Sequence, residues 1–316
     1  MSSAELHDWN PASHRKAGQP VRVHDETLRD GLQNPSVKDP DLDTKIEILH
    51  LLESVGVDSV SVGLPAAGPR ALEQVEVLCR EIVDSGMRIR ANCAARTVAS
   101  DIAPIVDVSQ KLGLSIEVTT FIGSSPIRQL AEHWSPEFIR ERSVAAIDFA
   151  VGHDLPTTYV TEDTTRSNPE VLRDLFTTAI EHGASRICLC DTVGHATPWG
   201  VAALIRFSRE VADSVKPGIG IDFHGHADRG LALANTLAAF EEGADRLHGC
   251  LLGVGERVGN APIELILRNL GRIGWGRDRD LSRLDELCRL VARTAEFPLP
   301  PQVSEPPRDL AHGPAF

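Results

Sequence analysis

His224 and His226 stand two residues apart in His224-Gly-His226. On a β-strand, residues i and i+2 point to one side. Two imidazoles on one side can share a metal ion, although two unrelated polar residues give the same spacing. Asp30, in the run Arg29-Asp30-Gly31, could add a hard oxygen ligand. The other use of an aspartate there is a helix N-cap. Two histidines and one carboxylate leave positions open for substrate, the layout of a catalytic metal site. Arg29 could stabilise charge developing on a carbonyl oxygen, or it could form a surface ion pair. Glu162 is a candidate acid or base, or else a partner for Arg166. His195 could shuttle protons, or be one more solvated loop histidine.

Eight short apolar or β-branched runs could position these groups: 21–25, 59–62, 88–93, 115–121, 157–161, 186–190, 220–223 and 246–251. Helical patterns lie between them, at 44–55, 71–85, 136–151, 169–182, 198–211 and 231–242. Several open on Pro or a polar residue and stop at Gly, as in Glu181-His-Gly-Ala184 and Glu241-Glu-Gly-Ala244. This alternation predicts an α/β fold, a (β/α)₈ TIM barrel whose strands are buried and mostly apolar. An open doubly wound sheet would need a G-x-G-x-x-G turn after an early strand, and none is there. In such a barrel the active site lies at the C-terminal ends of the strands. Nearly every group capable of chemistry follows a predicted strand. Arg29, Asp30 and Gln33 follow the first, Arg96 the third, Glu162 the fifth, Thr192, His195 and Thr197 the sixth, and Asn260 the eighth.

The chain has 316 residues, 42% of them hydrophobic and 24% charged, as in a globular protein. The organisation expected is a polar N-terminal extension (1–20), a barrel (21–275), and a C-terminal helix at 281–297 with a Pro-rich extended tail (276–316). A formal charge of −13 argues against a nucleic-acid partner. No apolar run approaches the roughly 20 residues of a membrane span, and residues 1–20 lack the apolar core of a signal peptide. Six scattered cysteines, none in a Cys-x-x-Cys pair, read as core residues of a protein in a reducing compartment. No membrane association and a cytoplasmic location are therefore expected.

The run Asp25-Glu-Thr-Leu-Arg-Asp-Gly-Leu-Gln33 resembles the D-x-T-L-R-D-G-x-Q signature of the DRE-TIM metallolyases. That superfamily includes 2-isopropylmalate, homocitrate and citramalate synthases and 3-hydroxy-3-methylglutaryl-CoA lyase. Further stretches agree in the family's order: Thr120-Phe-Ile-Gly-Ser-Ser-Pro126, Glu162-Asp-Thr-Thr-Arg166, Asp191-Thr-Val-Gly-His-Ala-Thr-Pro198, and His224-Gly-His226 through Gly253-Val-Gly-Glu-Arg-Val-Gly-Asn260. The resemblance implies one divalent metal (Mg²⁺, Mn²⁺ or Zn²⁺) held by Asp30, His224, His226 and Asn260. It implies that Arg29 polarises the keto oxygen of a 2-oxo acid, and that Gln33, Arg96, Thr192 and Thr197 contact substrate. Glu162 would belong to the proton-transfer machinery, with His195 or the tail as other sources of a base. The activity implied is a Claisen-type condensation of an acyl-CoA, acetyl-CoA foremost, with a 2-oxo acid. The alternatives are a retro-Claisen or aldol lyase and a non-catalytic metal-binding paralogue. A homodimer is expected by analogy.

Three features depart from the synthases. Ser61-Val-Gly63-Leu-Pro65 stands where they carry E-x-G-x-P, so a carboxylate near Arg29 is missing. His224-Gly-His226-Ala227-Asp228-Arg229-Gly230 replaces H-x-H-N-D-x-G. The segment ending at Phe316 lacks the motif whose histidine reaches a neighbouring subunit, so His312 takes no assigned role.

Overall fold

In the computed structural model, which describes residue 15, residues 19–276 and residues 278–304, eight parallel strands close on themselves in sequence order. They are β1 (Arg22–Asp25), β2 (Ser59–Gly63), β3 (Arg90–Arg96), β4 (Glu117–Gly123), β5 (Thr157–Glu162), β6 (Arg186–Asp191), β7 (Gly220–Gly225) and β8 (Arg246–Gly249). The seam is β1 on β8, where His24 faces His248 in register. The molecule is thus the TIM barrel that the alternation predicts. No helix of the described residues is long and apolar enough to cross a membrane.

The helices begin where the sequence supplies caps. Asp41 accepts from the Thr44 amide to open α1 (Leu42–Ser54). Prolines start α2 (Pro69–Asp84), α4 (Pro126–Glu132), α5 (Pro136–Val151), α6 (Pro169–Glu181) and α7 (Pro198–Val215), behind Ser125, Ser135, Asn168 and Thr197 caps at the last four. A proline there gives up only an amide that has no partner anyway. Helix α3 (Ala99–Leu112) tolerates Pro104 inside it and ends on Gly113 in the left-handed region. After α8 (Ala232–Glu241) come α9 (Ile263–Arg272) and α10 (Leu284–Thr294), the latter packed on α1. Where an extended tail was expected, Pro301–Ser304 makes one helical turn, α11, with Val303 buried. His312 and most of the expected N-terminal extension lie outside the described residues.

The apolar core fills the layer between strands and helices, with Val23, Val60, Val118, Ile187 and Ile221 pointing outward from the sheet. All six cysteines are free and buried. The inside of the barrel differs from the apolar expectation. Its floor is a buried charge network, where Arg246 reaches Glu117 Oε1 at 2.5 Å and Asp222 Oδ2 at 2.6 Å, and Arg186 pairs with Asp222 too. Alternation explains this: inward positions such as Asp222, His224, Arg246 and His248 are polar, while their outward neighbours are apolar or small. Each buried charge is therefore neutralised locally, as low-dielectric burial demands.

Candidate metal centre and active site

Asp30 follows β1 and starts the short 3₁₀ turn Gly31–Gln33, yet its side chain caps nothing. It points instead at the end of β7. His224 Nε2 lies 3.3 Å and His226 Nε2 3.7 Å from Asp30 Oδ2, and the two nitrogens are 3.1 Å apart. Donors held about 2.0–2.2 Å from one metal ion are separated by roughly 3.0–3.5 Å. The triad therefore has the spacing of a ligand set, and all three residues are buried. Asn260 pairs with His226 through the backbone. Its amide lies 3.0 Å from Asp30 Oδ2, and its Oδ1 is buried without a partner. A cation among these groups would satisfy that orphan oxygen.

The electrostatics suit the same use. Burial would raise the Asp30 carboxyl, but Arg29 and the imidazoles outweigh it and keep it below the usual carboxylate range. Burial, with His224 beside it, drives His226 down to about 3. Ionised carboxylate and neutral imidazole are the forms that bind metal.

Asp30, His224 and His226 open on a cavity of about 230 Å³ in the barrel mouth. That is below the roughly 300–1,000 Å³ of pockets for drug-sized ligands, so it suits a small acid. Arg29, Gln33, Glu162 and Thr192 also line it. Arg29 is held by Glu26, and so is not the surface ion pair of the alternative reading. Arg166 pairs with Asp163, leaving Glu162 to face the cavity. Burial lifts the Glu162 carboxyl above its usual range, against the pull of Arg128 at 3.6 Å.

Four expected site residues do not line this cavity; one of them, Asn260, is buried beside Asp30. Arg96 is exposed and forks onto Asp101, with bonds of 2.7 and 2.9 Å. Thr197 caps α7. His195 is exposed and lines a second cavity with Thr197, on the flank beside α7. Its loop is fixed there because the Asp191 carboxylate accepts from the His195 and Ala196 amides and Arg229 holds the His195 carbonyl.

Glu26, His248 and His24 are the residues that sequence reasoning passed over. Glu26 and His248 line the cavity, and all three sit within ligand distance of one another. The signal was present: His24-x-Glu26 has the same i, i+2 spacing as His224-x-His226.

The loop after β8 closes the site. Arg257 forks onto Asp228 at 2.7 and 2.9 Å and donates to the Thr192 carbonyl at 2.5 Å. It thus ties together the loops after β6, β7 and β8.

The HMGL-like family model matches residues 20–291. The chain belongs to that family. It is 34% identical over 284 residues to a probable 2-isopropylmalate synthase of Methanopyrus kandleri, covering 89% of this chain and 54% of that one. It is also 34% identical over 284 residues to homocitrate synthase AksA of the same organism, covering 89% and 68%. The chain spans about half the length of the 2-isopropylmalate synthases it matches first. A solved HMG-CoA lyase of Acinetobacter baumannii, in complex with coenzyme A and 3-methylmalate, shares the fold. Its TM-score is 0.75 at 20% identity, over 95% of this chain and 99% of that one.

Proposed function

We propose that this barrel is a divalent-metal-dependent condensing enzyme that joins an acyl-CoA to a 2-oxo acid, giving a 2-hydroxy acid and free coenzyme A. The observation that carries the reading is the convergence of Asp30, His224 and His226 beside Arg29 in one buried cavity. Family membership and the two synthase relatives support it.

Asp30, His224, His226 and the Asn260 amide would hold the ion. Bound there, it supplies Lewis acidity toward the keto oxygen of the 2-oxo acid. Arg29 adds a guanidinium donor for the alkoxide oxygen that forms as the keto carbon is attacked. Glu162 takes the proton from the carbon next to the thioester carbonyl, since the other carboxylates deep in the cavity are tied to Arg29 or to the ligand set. The new carbon–carbon bond joins that carbon to the keto carbon, and the alkoxide takes up a proton. Water then cleaves the thioester and releases the thiol. Gln33 and Thr192 supply polar contacts at the cavity wall. The small cavity takes the acid and the acyl end, which leaves the nucleotide of the coenzyme outside the mouth.

The test is thiol release from acetyl-CoA with glyoxylate, pyruvate, 2-oxoisovalerate, 2-oxoglutarate and oxaloacetate, in metal-loaded protein and in Asp30→Ala. Release that requires one acid and metal, and is absent in the variant, supports the reading and names the acid. Bond cleavage of a hydroxy acid in place of release would assign the lyase direction. Metal binding with neither reaction would assign a non-catalytic paralogue.

A further inference from the structure

A second cluster lies beside the first, one strand pair away. His24 ends up inside the barrel on β1, His248 faces it in register on β8, and Glu26 follows β1. Their exposures are 0%, 2% and 3%, so all three are buried. His24 Nε2 is 3.3 Å and His248 Nδ1 3.4 Å from a single oxygen, Oε1 of Glu26. Neither nitrogen has a hydrogen-bond partner.

For His248 the protons of a neutral ring cannot be arranged to explain this. His248 stands between two carboxylates, with Nε2 3.2 Å from Asp222 Oδ2 and Nδ1 facing Glu26. A neutral imidazole has one N–H, so one of its nitrogens must present a lone pair to a carboxylate oxygen. Asp222 is ionised and already takes two guanidinium groups. An N–H on Nε2 pointing at Asp222 leaves the bare Nδ1 toward Glu26. That is the arrangement in which a carboxylate orients a metal-binding histidine. His24 takes the same orientation when its Nδ1–H donates to Ser59 Oγ, 2.8 Å away, which turns a bare Nε2 toward Glu26. The separations of 3.3 and 3.4 Å are those of donors about one metal ion. Glu26 divides its work: Oε2 holds Arg29 and Oε1 faces the histidines.

We infer that His24, Glu26 and His248 form a second metal site, for a first-row divalent transition ion such as Zn²⁺ or Co²⁺. Two imidazoles and one carboxylate select that class over Mg²⁺ or Ca²⁺, which prefer all-oxygen shells. The ion would fix Glu26, and through it the guanidinium of Arg29. The inference does not depend on the reaction proposed above, because its readout is stoichiometry and position.

The experiment is to strip the full chain with a chelator, reload it with Co²⁺, remove the excess and count metal per chain. Wild type is expected to hold two equivalents. His24→Leu, His248→Gln and Asp30→Ala are each expected to hold one. A single equivalent in wild type, or two in both histidine variants, overturns the site. Should the histidine variants not fold, anomalous scattering from Co²⁺-loaded wild-type crystals decides instead. A peak between His24 and His248 supports the site. Its absence, with a peak at Asp30, assigns the cluster to a doubly protonated His248 and overturns the inference.

Discussion

Glu26 Oε2 accepts from both Nε and Nη2 of Arg29, at 2.9 and 2.6 Å. The carboxylate is buried and the guanidinium faces the cavity. The synthase pattern supplies a carboxylate near this arginine from β2, where Ser61 stands here. Glu26 brings one from the turn after the neighbouring strand β1, so the charge lost at Ser61 is restored from another direction. A fork of this kind fixes the plane of the guanidinium as well as its place. Arg29→Lys is expected to lower kcat by about 10²–10³-fold, since one donor at a developing oxyanion is worth that much. Glu26→Gln keeps the shape and removes the charge. As a positioning change it should lower kcat by roughly tenfold or more while the KM for the 2-oxo acid moves less. Steady-state kinetics on both variants check this, and an unaltered kcat in Glu26→Gln would confine the pair to a structural role.

Glu162 must be ionised to take a proton from carbon. Burial raises its carboxyl, and Arg128 only partly offsets that. The protonated, inactive form therefore persists to a higher pH than for an ordinary glutamate. The profile of kcat/KM is expected to fall on the acid side with a midpoint above the ordinary glutamate value of about 4.3. Glu162→Gln should lose about 10²–10⁴-fold in rate, the usual contribution of a positioned base. Profiles for both proteins between pH 4 and 9 test the assignment; a Gln variant that retains wild-type turnover would move the base elsewhere.

The barrel floor makes a prediction about stability. Burial opposes ionisation of Glu117, but Arg246 overrides it and holds the carboxyl at about 2. The folded value lies below the unfolded one. The pair's contribution is thus complete above the unfolded value, near pH 4.5, and is lost as pH falls toward 2. Glu117→Gln leaves Arg246 with one carboxylate partner fewer in a buried site, at a cost of about 3–5 kcal/mol at neutral pH. Denaturant unfolding of both proteins should show a constant gap from pH 5 to 8 that narrows below pH 4.5. A gap that does not change with pH would mean that Glu117 is not ionised in the folded protein.

Much of this was legible in the chain itself. The eight strands lie where β-branched runs alternate with capped helical patterns, because both periods are written in local residue types. The choice between a ligand and an N-cap for Asp30 was not decidable locally. It turned on whether β7 would come to face β1, which is a property of barrel closure. The reading of apolar strands missed the charged floor, since Glu117, Asp222 and Arg246 are 24 or more residues apart and look like isolated charges until the sheet closes. The same holds for His248, which gains meaning only opposite His24. Arg96 and His195 carried their expectations from their places after the third and sixth strands and from the motif. In space, Asp101 captures the first, and the Asp191 and Arg229 contacts hold the second outside the cavity.

The glycines of the loop after β8 separate two reasons for a glycine that a motif merges. Gly259 has φ +101°, and a Cβ there would lie 1.9 Å from the Gly253 carbonyl oxygen. Gly259→Ala combines backbone strain with a backbone clash, and should lower stability by more than about 1–3 kcal/mol. Gly255 has no such φ, but a Cβ on it would stand 2.1 Å from Asn260 Nδ2. Gly255→Ala should therefore fold, with the Asn260 amide pushed off Asp30. If that amide helps to hold the ion, metal affinity should fall by on the order of 10–100-fold while thermal stability changes little. Competition against a chromophoric chelator measures the first and thermal unfolding the second. A Gly255→Ala protein with wild-type affinity would remove Asn260 from the ligand set and leave Asp30, His224 and His226 to hold the metal alone.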